Sequence, residues 1–426
     1  MQYSEYTKEQ LLQERDTLLK SYEAFKEMNL NLDMSRGKPC SEQLDISVRM
    51  LDIVNSGHHC ITKAGLDCRN YGLIDGLPSC RKLFSEFIQV PEEQVMVGGN
   101  SSLNMMFDTI SCFMTKSPVE GEKPWLNVEG RKFLCPVPGY DRHFAITEYY
   151  GFEMIPVPMT DKGPDMDVIE NLVANDADIK GIWCVPKYSN PQGITYSDET
   201  VRRFANLKPA APDFRIMWDD AYCVHDLADE GDTLISLYNE CEKAGNIDLP
   251  IIFCSTSKIT FPGSGVAAMA TSPNNMKVLR ERYMRQTIGY DKINQLRHAN
   301  FFKNKAGIDA HMLKHAAILK PKFEAVLTAF NEKLAGKGIA SWTNPNGGYF
   351  ISLDVYNGCA KRTVALCKEA GVTLTGAGAT FPYGNDPLDK NIRIAPTFPS
   401  RDELCKAVEI LCVCVELAAI EKILAE

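Results

Sequence analysis

Residues 249–265, LPIIFCSTSKITFPGSG, hold the reading on which the fold turns. The first half, Leu249-Pro250-Ile251-Ile252-Phe253-Cys254, is a short apolar run with the pattern of a strand buried on both faces. The second half is a loop of small and hydroxylated residues with Lys258 in its middle. A surface lysine needs no such setting. A lysine among hydroxyls and glycines at a strand's carboxyl end suits one of two tasks, holding a phosphate or forming a covalent bond.

Upstream, the same alternation repeats. The runs QVMVGG (94–99), KFLCPVPG (132–139), FEMIPVPM (152–159), IKGIWCVP (179–186) and FRIMWDD (214–220) are separated by helix-like stretches. Short β-rich runs alternating with helices predict an α/β domain with a mostly parallel central sheet. The first ~30 residues predict a helix, because Leu11, Leu12, Leu18, Leu19, Tyr22 and Phe25 recur near helical spacing. Beyond about residue 305 come a long helix (roughly 306–337), the strand-like GGYFISLDV (347–355), a further helix and NIRIAPTF (391–398). This reads as a smaller α+β domain. The expected division is 50–305 for the large unit and 1–49 with 306–426 for the small one.

Composition narrows the class. The 426 residues are 45% hydrophobic and 24% charged, ordinary for a globular protein, and the net charge is −9. That balance argues against a general binder of nucleic acid or anionic membranes. The charged N-terminus has no apolar signal core, and no run reaches the length of a membrane span. The tail AVEILCVCVELAAIEKILAE (407–426) is interrupted by Glu409, Glu416 and Glu421, which predicts an amphipathic helix packed on a core. Fifteen cysteines without a CxxC pair read as reduced thiols, hence a cytoplasmic setting. His58-His59-Cys60 lacks a second ligand pair at zinc spacing, so no metal is expected.

In open α/β sheets, ligands gather at the carboxyl ends of the strands. Five such ends carry chemistry: Gly98-Gly99-Asn100-Ser101-Ser102; Pro138-Gly139-Tyr140; Asn190-Pro191-Gln192-Gly193; Asp219-Asp220-Ala221-Tyr222; and Ser255-Thr256-Ser257-Lys258. Each has an ordinary structural explanation. Asn100–Ser102 can be a helix cap, Asn190-Pro191 a turn, Tyr140 turn packing, and Asp219 the partner of a buried cation. Arg393 is a cation within an otherwise apolar strand and needs a carboxylate, the protein's own or a substrate's. Neither the Walker pattern nor GxGxxG is present. Taken together the set matches pyridoxal phosphate chemistry. That cofactor takes a lysine on its aldehyde, a carboxylate on its pyridine nitrogen, N–H groups and hydroxyls for its phosphate, and an aromatic face on its ring. An amino-acid substrate takes an arginine for its α-carboxylate.

The order Asn-Pro-x-Gly (190–193), Asp-x-Ala-Tyr (219–222), Ser-x-Ser-Lys (255–258) and a late IRIA arginine resembles the class I/II aminotransferases of fold type I. The resemblance runs from about residue 35 to 398. The wording SRGKP, CPVPGYDRHF and VPKYSNPQG resembles the divergent bacterial subgroup of aspartate aminotransferases. The resemblance implies roles. Lys258 would carry the Schiff base to pyridoxal 5′-phosphate and move the proton. Asp219 would pair with the pyridine nitrogen, and Tyr222 and Asn190 would hold the phenolic oxygen. Tyr140 would stack on the ring. Asn100, Ser101, Ser255 and Ser257 would hold the phosphate, with Tyr71 reaching across a homodimer. Arg393, lined by Gly37, would bind the α-carboxylate. Candidates for a second substrate carboxylate are Arg36, Arg142 and Lys292. The expected reaction is transfer of an amino group from aspartate or glutamate to 2-oxoglutarate or oxaloacetate. An aromatic or kynurenine-type donor, or another reaction of the same cofactor such as a lyase or decarboxylase, stays open. One departure stands out. The family commonly places an arginine after the lysine's Pro-Gly, and here Ser264-Gly265-Val266-Ala267 follows instead. A transcription regulator is disfavoured because only 34 residues precede Ser35. A binding protein with a degenerate site is disfavoured by the completeness of the set.

Overall fold

The computed structural model describes residues 2–57 and 60–426. His58 and His59, on which a metal alternative would rest, lie outside them. The strands expected between residues 90 and 270 all form, and all belong to one eight-stranded sheet. Its spatial order is Val95–Val97, Ala267–Thr271, Pro250–Ser255, Arg215–Asp219, Ile179–Cys184, Lys132–Val137, Glu153–Thr160 and Gly163–Pro164. The five strands from Pro250–Ser255 to Glu153–Thr160 run parallel to one another. Ala267–Thr271 is antiparallel to both its neighbours. The sequence reading missed it, because AAMAT has no β-branched residue before its last position and resembled a continuation of the loop.

Successive side chains of a strand face opposite sides of the sheet. In Arg215–Asp219, Ile216 and Trp218 enter one core and Met217 enters the other. The same rule separates the two acids that follow. Asp219 falls on the side of Met217, Trp183 and His143, whereas Asp220 lines the opposite side with Trp218 and Ile252.

A third core gathers the N-terminal helix Lys8–Glu27, much of helix Lys305–Lys333, helix Ala360–Glu369, helix Arg401–Ala425 and the antiparallel sheet Ala340–Trp342, Ile351–Val355, Asn391–Ile394. Helix Lys305–Lys333 serves two cores. Ile308 and Met312 pack with the large sheet, while Leu319, Phe323, Val326 and Phe330 pack in the third core, and Pro321 lies inside the helix. A parallel pairing of Leu32–Asp33 with Val372–Thr373 anchors the N-terminal segment.

The C-terminal helix corrects an expectation. It is not amphipathic: from Leu404 to Ile420 it is buried on nearly every face, because three helices cover it. Glu416 is buried with it and is held by the hydroxyl of Tyr3 and the ammonium of Lys337. Cys412 and Cys414 are buried core residues, and all fifteen cysteines are free. Among the described residues no helix is long and apolar enough to cross a membrane, and no group of side chains could hold a metal ion.

Removing the Glu416 carboxylate leaves a buried phenol and a half-buried ammonium without their acceptor. Glu416→Ala should cost about 1–3 kcal/mol, read as a lower denaturation midpoint, with Glu416→Gln recovering part of it. A midpoint unchanged by Glu416→Ala would mean that water replaces the carboxylate at no cost.

Candidate active site

Five loops converge at the carboxyl ends of the parallel strands and enclose a cavity of about 310 Å³. Asn100, Ser101, Tyr140, Asn190, Asp219, Tyr222, Ser255, Ser257 and Lys258 all line it, joined by Val185, Leu103, Met106 and Pro262.

Asp219 is the floor. Its Oδ2 lies 3.0 Å from Nε2 of His143. With the carboxylate as acceptor, the donor of this contact is the N–H of the Nε2 tautomer of His143. His143 is fixed in turn by stacking on Trp183, with centroids 4.5 Å apart and planes at 12°, and by the edge of Tyr140 at 4.9 Å. The other oxygen of Asp219, Oδ1, is buried and has no hydrogen-bond partner among the described residues. A buried carboxylate oxygen without a donor is costly unless a ligand supplies one.

Lys258 lines the same cavity, its Nζ 5.0 Å from the ring centre of Tyr222 and 5.8 Å from that of Tyr349. Tyr349 donates to the backbone carbonyl of Lys258 across 3.3 Å. Burial lowers the Lys258 pKa below the ordinary lysine value; Asp219 opposes this and Arg393 adds to it. Burial also pushes the Tyr140 phenol up to about 12, and Tyr222 is raised well above its ordinary value for the same reason.

At the far end is the start of helix Ser102–Thr115. Ser101 precedes it, but its side chain accepts no hydrogen bond from the helix. Ser255 Oγ donates to Ser257 Oγ (3.0 Å), and Ser257 Oγ donates to the carbonyl of Asn100 (3.1 Å). Free N–H groups at a helix start, beside hydroxyls, suit a phosphate. The segment lacking the expected arginine is tied down by Asn294, whose Nδ2 donates to the carbonyls of Ser264 and Gly265, each at 2.9 Å. The residues fit pyridoxal phosphate. A lysine of lowered basicity, an acid with an open oxygen, an aromatic wall and a hydroxyl-rich helix start face one cavity of adequate size.

The substrate candidates separate. Arg393 comes from strand Asn391–Ile394 and its Nη1 reaches Asn190 Oδ1 at 3.4 Å, which joins it to the cavity wall. Its guanidinium lies 4.9 Å from the ring centre of Phe350. Gly37 packs on the same ring so closely that a Cβ there would lie 2.4 Å from Phe350 Cζ, so any larger residue would have to push that ring aside. Arg36 and Arg142 are exposed, with no partner among the described residues. Lys292 is not available as a second cation. It is buried and donates to the carbonyl of Gly72 across 3.0 Å, bracing the loop that carries Tyr71. Tyr71 itself is 83% exposed and outside the cavity.

Residues 6–426 match the family model described as aspartate amino-transferase. The chain belongs to this family. It is 46% identical over 406 residues to the aspartate aminotransferase of Corynebacterium glutamicum, covering 95% of this chain and 94% of that protein. The crystal structure of an aspartate transaminase from the same organism superposes with a TM-score of 0.96, 44% identity and 99% coverage of both chains. An α-aminoadipate aminotransferase of Thermus thermophilus, solved with N-(5′-phosphopyridoxyl)-L-leucine, superposes with a TM-score of 0.73 at 20% identity over 92% of this chain and 93% of that one, which speaks for the fold alone.

The protein is thus an aminotransferase of fold type I. Four residues of this aminotransferase's site escaped the sequence reading: Asp141, His143, Trp183 and Tyr349. For His143 a signal existed, since it stands three residues after Tyr140 and one helical turn returns it to the same side. Trp183 and Tyr349 looked like core residues, which they also are.

Two outcomes follow from this geometry. Ser101→Ala should leave stability within about 0.5 kcal/mol, whereas Ser272→Ala, which removes a side chain accepting from Asn275 N–H, should cost about 1 kcal/mol in the same melts. Lys258 has a folded pKa below 10.5, so the unfolded chain binds the extra proton in that window and stability rises with pH across it. Without cofactor, Lys258→Met should therefore melt above the wild type at neutral pH, the gap closing as pH rises to 10.5. A gap independent of pH would assign the effect to packing.

Proposed function

We propose that this aminotransferase moves an amino group from aspartate or glutamate to 2-oxoglutarate or oxaloacetate, using pyridoxal 5′-phosphate bound at Lys258. The observation that carries this reading is the buried, donor-less oxygen of Asp219, a residue that lines one cavity together with Lys258 and several hydroxyls. When bound, the cofactor supplies the electron sink that makes the amino acid's Cα–H acidic. Asp219, oriented by His143, would be the group to receive a ring N–H. Lys258 anchors the cofactor and its Nζ, less basic through burial, takes and returns the proton at Cα. Tyr140 would cover the ring, and Tyr222 and Asn190 would hold its phenolic oxygen. Asn100, Ser101, Ser255 and Ser257 with the start of helix Ser102–Thr115 hold the phosphate in place of the missing arginine. Arg393 takes the α-carboxylate, and Arg142 or Arg36 takes the distal one.

The choice of dicarboxylic substrates is supported by the relative 46% identical to this chain, which is named for aspartate. A homodimer is part of the proposal, supported by a tyrosine, Tyr71, left outside its own cavity. So are the two units 50–305 and 1–49 with 306–426, supported by the separate third core. Fifteen free cysteines support a cytoplasmic setting.

The test is an absorbance spectrum of the purified protein before and after adding aspartate. The visible band should convert with aspartate and return with 2-oxoglutarate. A band that ignores aspartate but answers an aromatic amino acid would replace the substrate, and no band after adding pyridoxal phosphate would refute the cofactor. Lys258→Ala should abolish turnover, and Asp219→Asn should lower kcat by about 100-fold or more. Arg142→Ala should raise KM for aspartate about tenfold and leave that for a monocarboxylic amino acid unchanged, as loss of one charged hydrogen bond predicts.

A further inference from the structure

Arg393 is not free to receive a substrate. Its Nη1 donates to Oδ1 of Asp141 across 2.9 Å and, more weakly, to Asn190 Oδ1 across 3.4 Å, while Nη2 donates to Thr375 Oγ1 across 3.3 Å. Its Nε is buried and has no hydrogen-bond partner among the described residues. A bidentate carboxylate grip needs two parallel N–H donors. Nη1 is the nitrogen that reaches the cavity wall, through Asn190, so a grip from the cavity takes Nη1 with Nη2, and Asp141 already holds Nη1.

We infer that Asp141 is an internal occupant of the α-carboxylate site, pairing with Arg393 in the free protein and displaced by each incoming carboxylate, so that it sets substrate affinity. This rests on Arg393 being the substrate's partner, as proposed above. The two members of the pair are unequal. The Arg393 side chain is 8% exposed and belongs to a paired strand, whereas that of Asp141 is 35% exposed and opens a helix. The acid is therefore the one that can leave. The N-terminus of helix Asp141–Tyr149 accommodates its charge after it turns away. It has reason to leave, because two carboxylates on one guanidinium repel. It also has a purpose in the free protein, because a buried arginine without a counter-ion is destabilising. Asp141 lies between Tyr140 and Arg142, so the exchange begins at the segment that carries the cavity's aromatic wall and a candidate for the distal carboxylate.

The sign of one substitution decides the matter. Asp141→Asn keeps the shape and removes the competing charge. Isothermal titration of the cofactor-loaded protein with maleate, a dicarboxylate that cannot transaminate, should show Kd falling about tenfold in Asp141→Asn, as loss of one charge-assisted hydrogen bond to the competitor predicts. With aspartate, kcat/KM should rise, the change lying in KM rather than kcat. Asp141→Ala should move Kd in the same direction, which keeps the test available if the asparagine variant folds poorly. A maleate Kd that is unchanged or higher in both variants would overturn the inference and leave Asp141 as an orienting group. Arg393→Lys separates the two levels. If it loses maleate while the Asp141 variants fail to tighten, only the exchange is refuted. If it binds maleate like the wild type, the substrate site lies elsewhere and the proposed site falls with it.

Discussion

The half-satisfied carboxylate of Asp219 is the constraint around which the site is arranged. Exposing it to water would waste its charge, and satisfying it fully would leave nothing to offer a ligand. The fold meets both conditions by giving Oδ2 to His143 and leaving Oδ1 open. His143 is held by an aromatic stack with Trp183 and an edge contact with Tyr140, each carried by a different strand end or its following helix. The position of one oxygen thus depends on three neighbouring strands keeping their register, and the sheet supplies that rigidity.

Strand alternation explains why one of two adjacent aspartates was selected. Asp219 and Asp220 are the same residue type, one position apart, and on composition alone neither is favoured. The pleat sends Asp219 toward His143 and Lys258 and sends Asp220 toward Trp218 and Ile252. There burial raises the Asp220 carboxyl pKa to about 7 despite nearby Lys187. A one-residue slip in strand Arg215–Asp219 would exchange the two environments and leave the cavity without its acid.

Much of this was legible beforehand because strand ends are punctuated. The transition from an apolar run to Gly, Ser, Asn or Asp marked the five loops, and nine of the residues named for the cofactor or its chemistry line a single cavity. Legibility failed where partners come from distant segments. Nothing local in NIRIAPTF says which carboxylate meets Arg393, since the answer lies 252 residues earlier at Asp141. Lys292 looked free in GYDKINQ because the carbonyl it serves, that of Gly72, is 220 residues away. The C-terminal helix misled for a related reason. Three glutamates spaced along it suggest an exposed face, but Glu416 is buried because Tyr3 and Lys337, from opposite parts of the chain, converge on it. Periodicity reports what a segment prefers and is silent on what arrives to cover it.

Helix Lys305–Lys333 has its first turns in one core and its last turns in another. It is shared by two cores, with the strand of Arg393 in one and the strand leading to Lys258 in the other. The backbone bridge between Asp226 and Gly347 and the bond from Gly139 N–H to the carbonyl of Thr380 tie the same two regions together beside this rod. Pro321 has no N–H to give, so the carbonyl one turn earlier, at Ala317, lacks its helical donor. That places the softest turn of the rod next to the passage from one core to the other. A bend at that turn would shift the strand of Arg393 relative to the loop of Lys258, so one missing N–H in a helix lies at the joint between the two sides of the cavity.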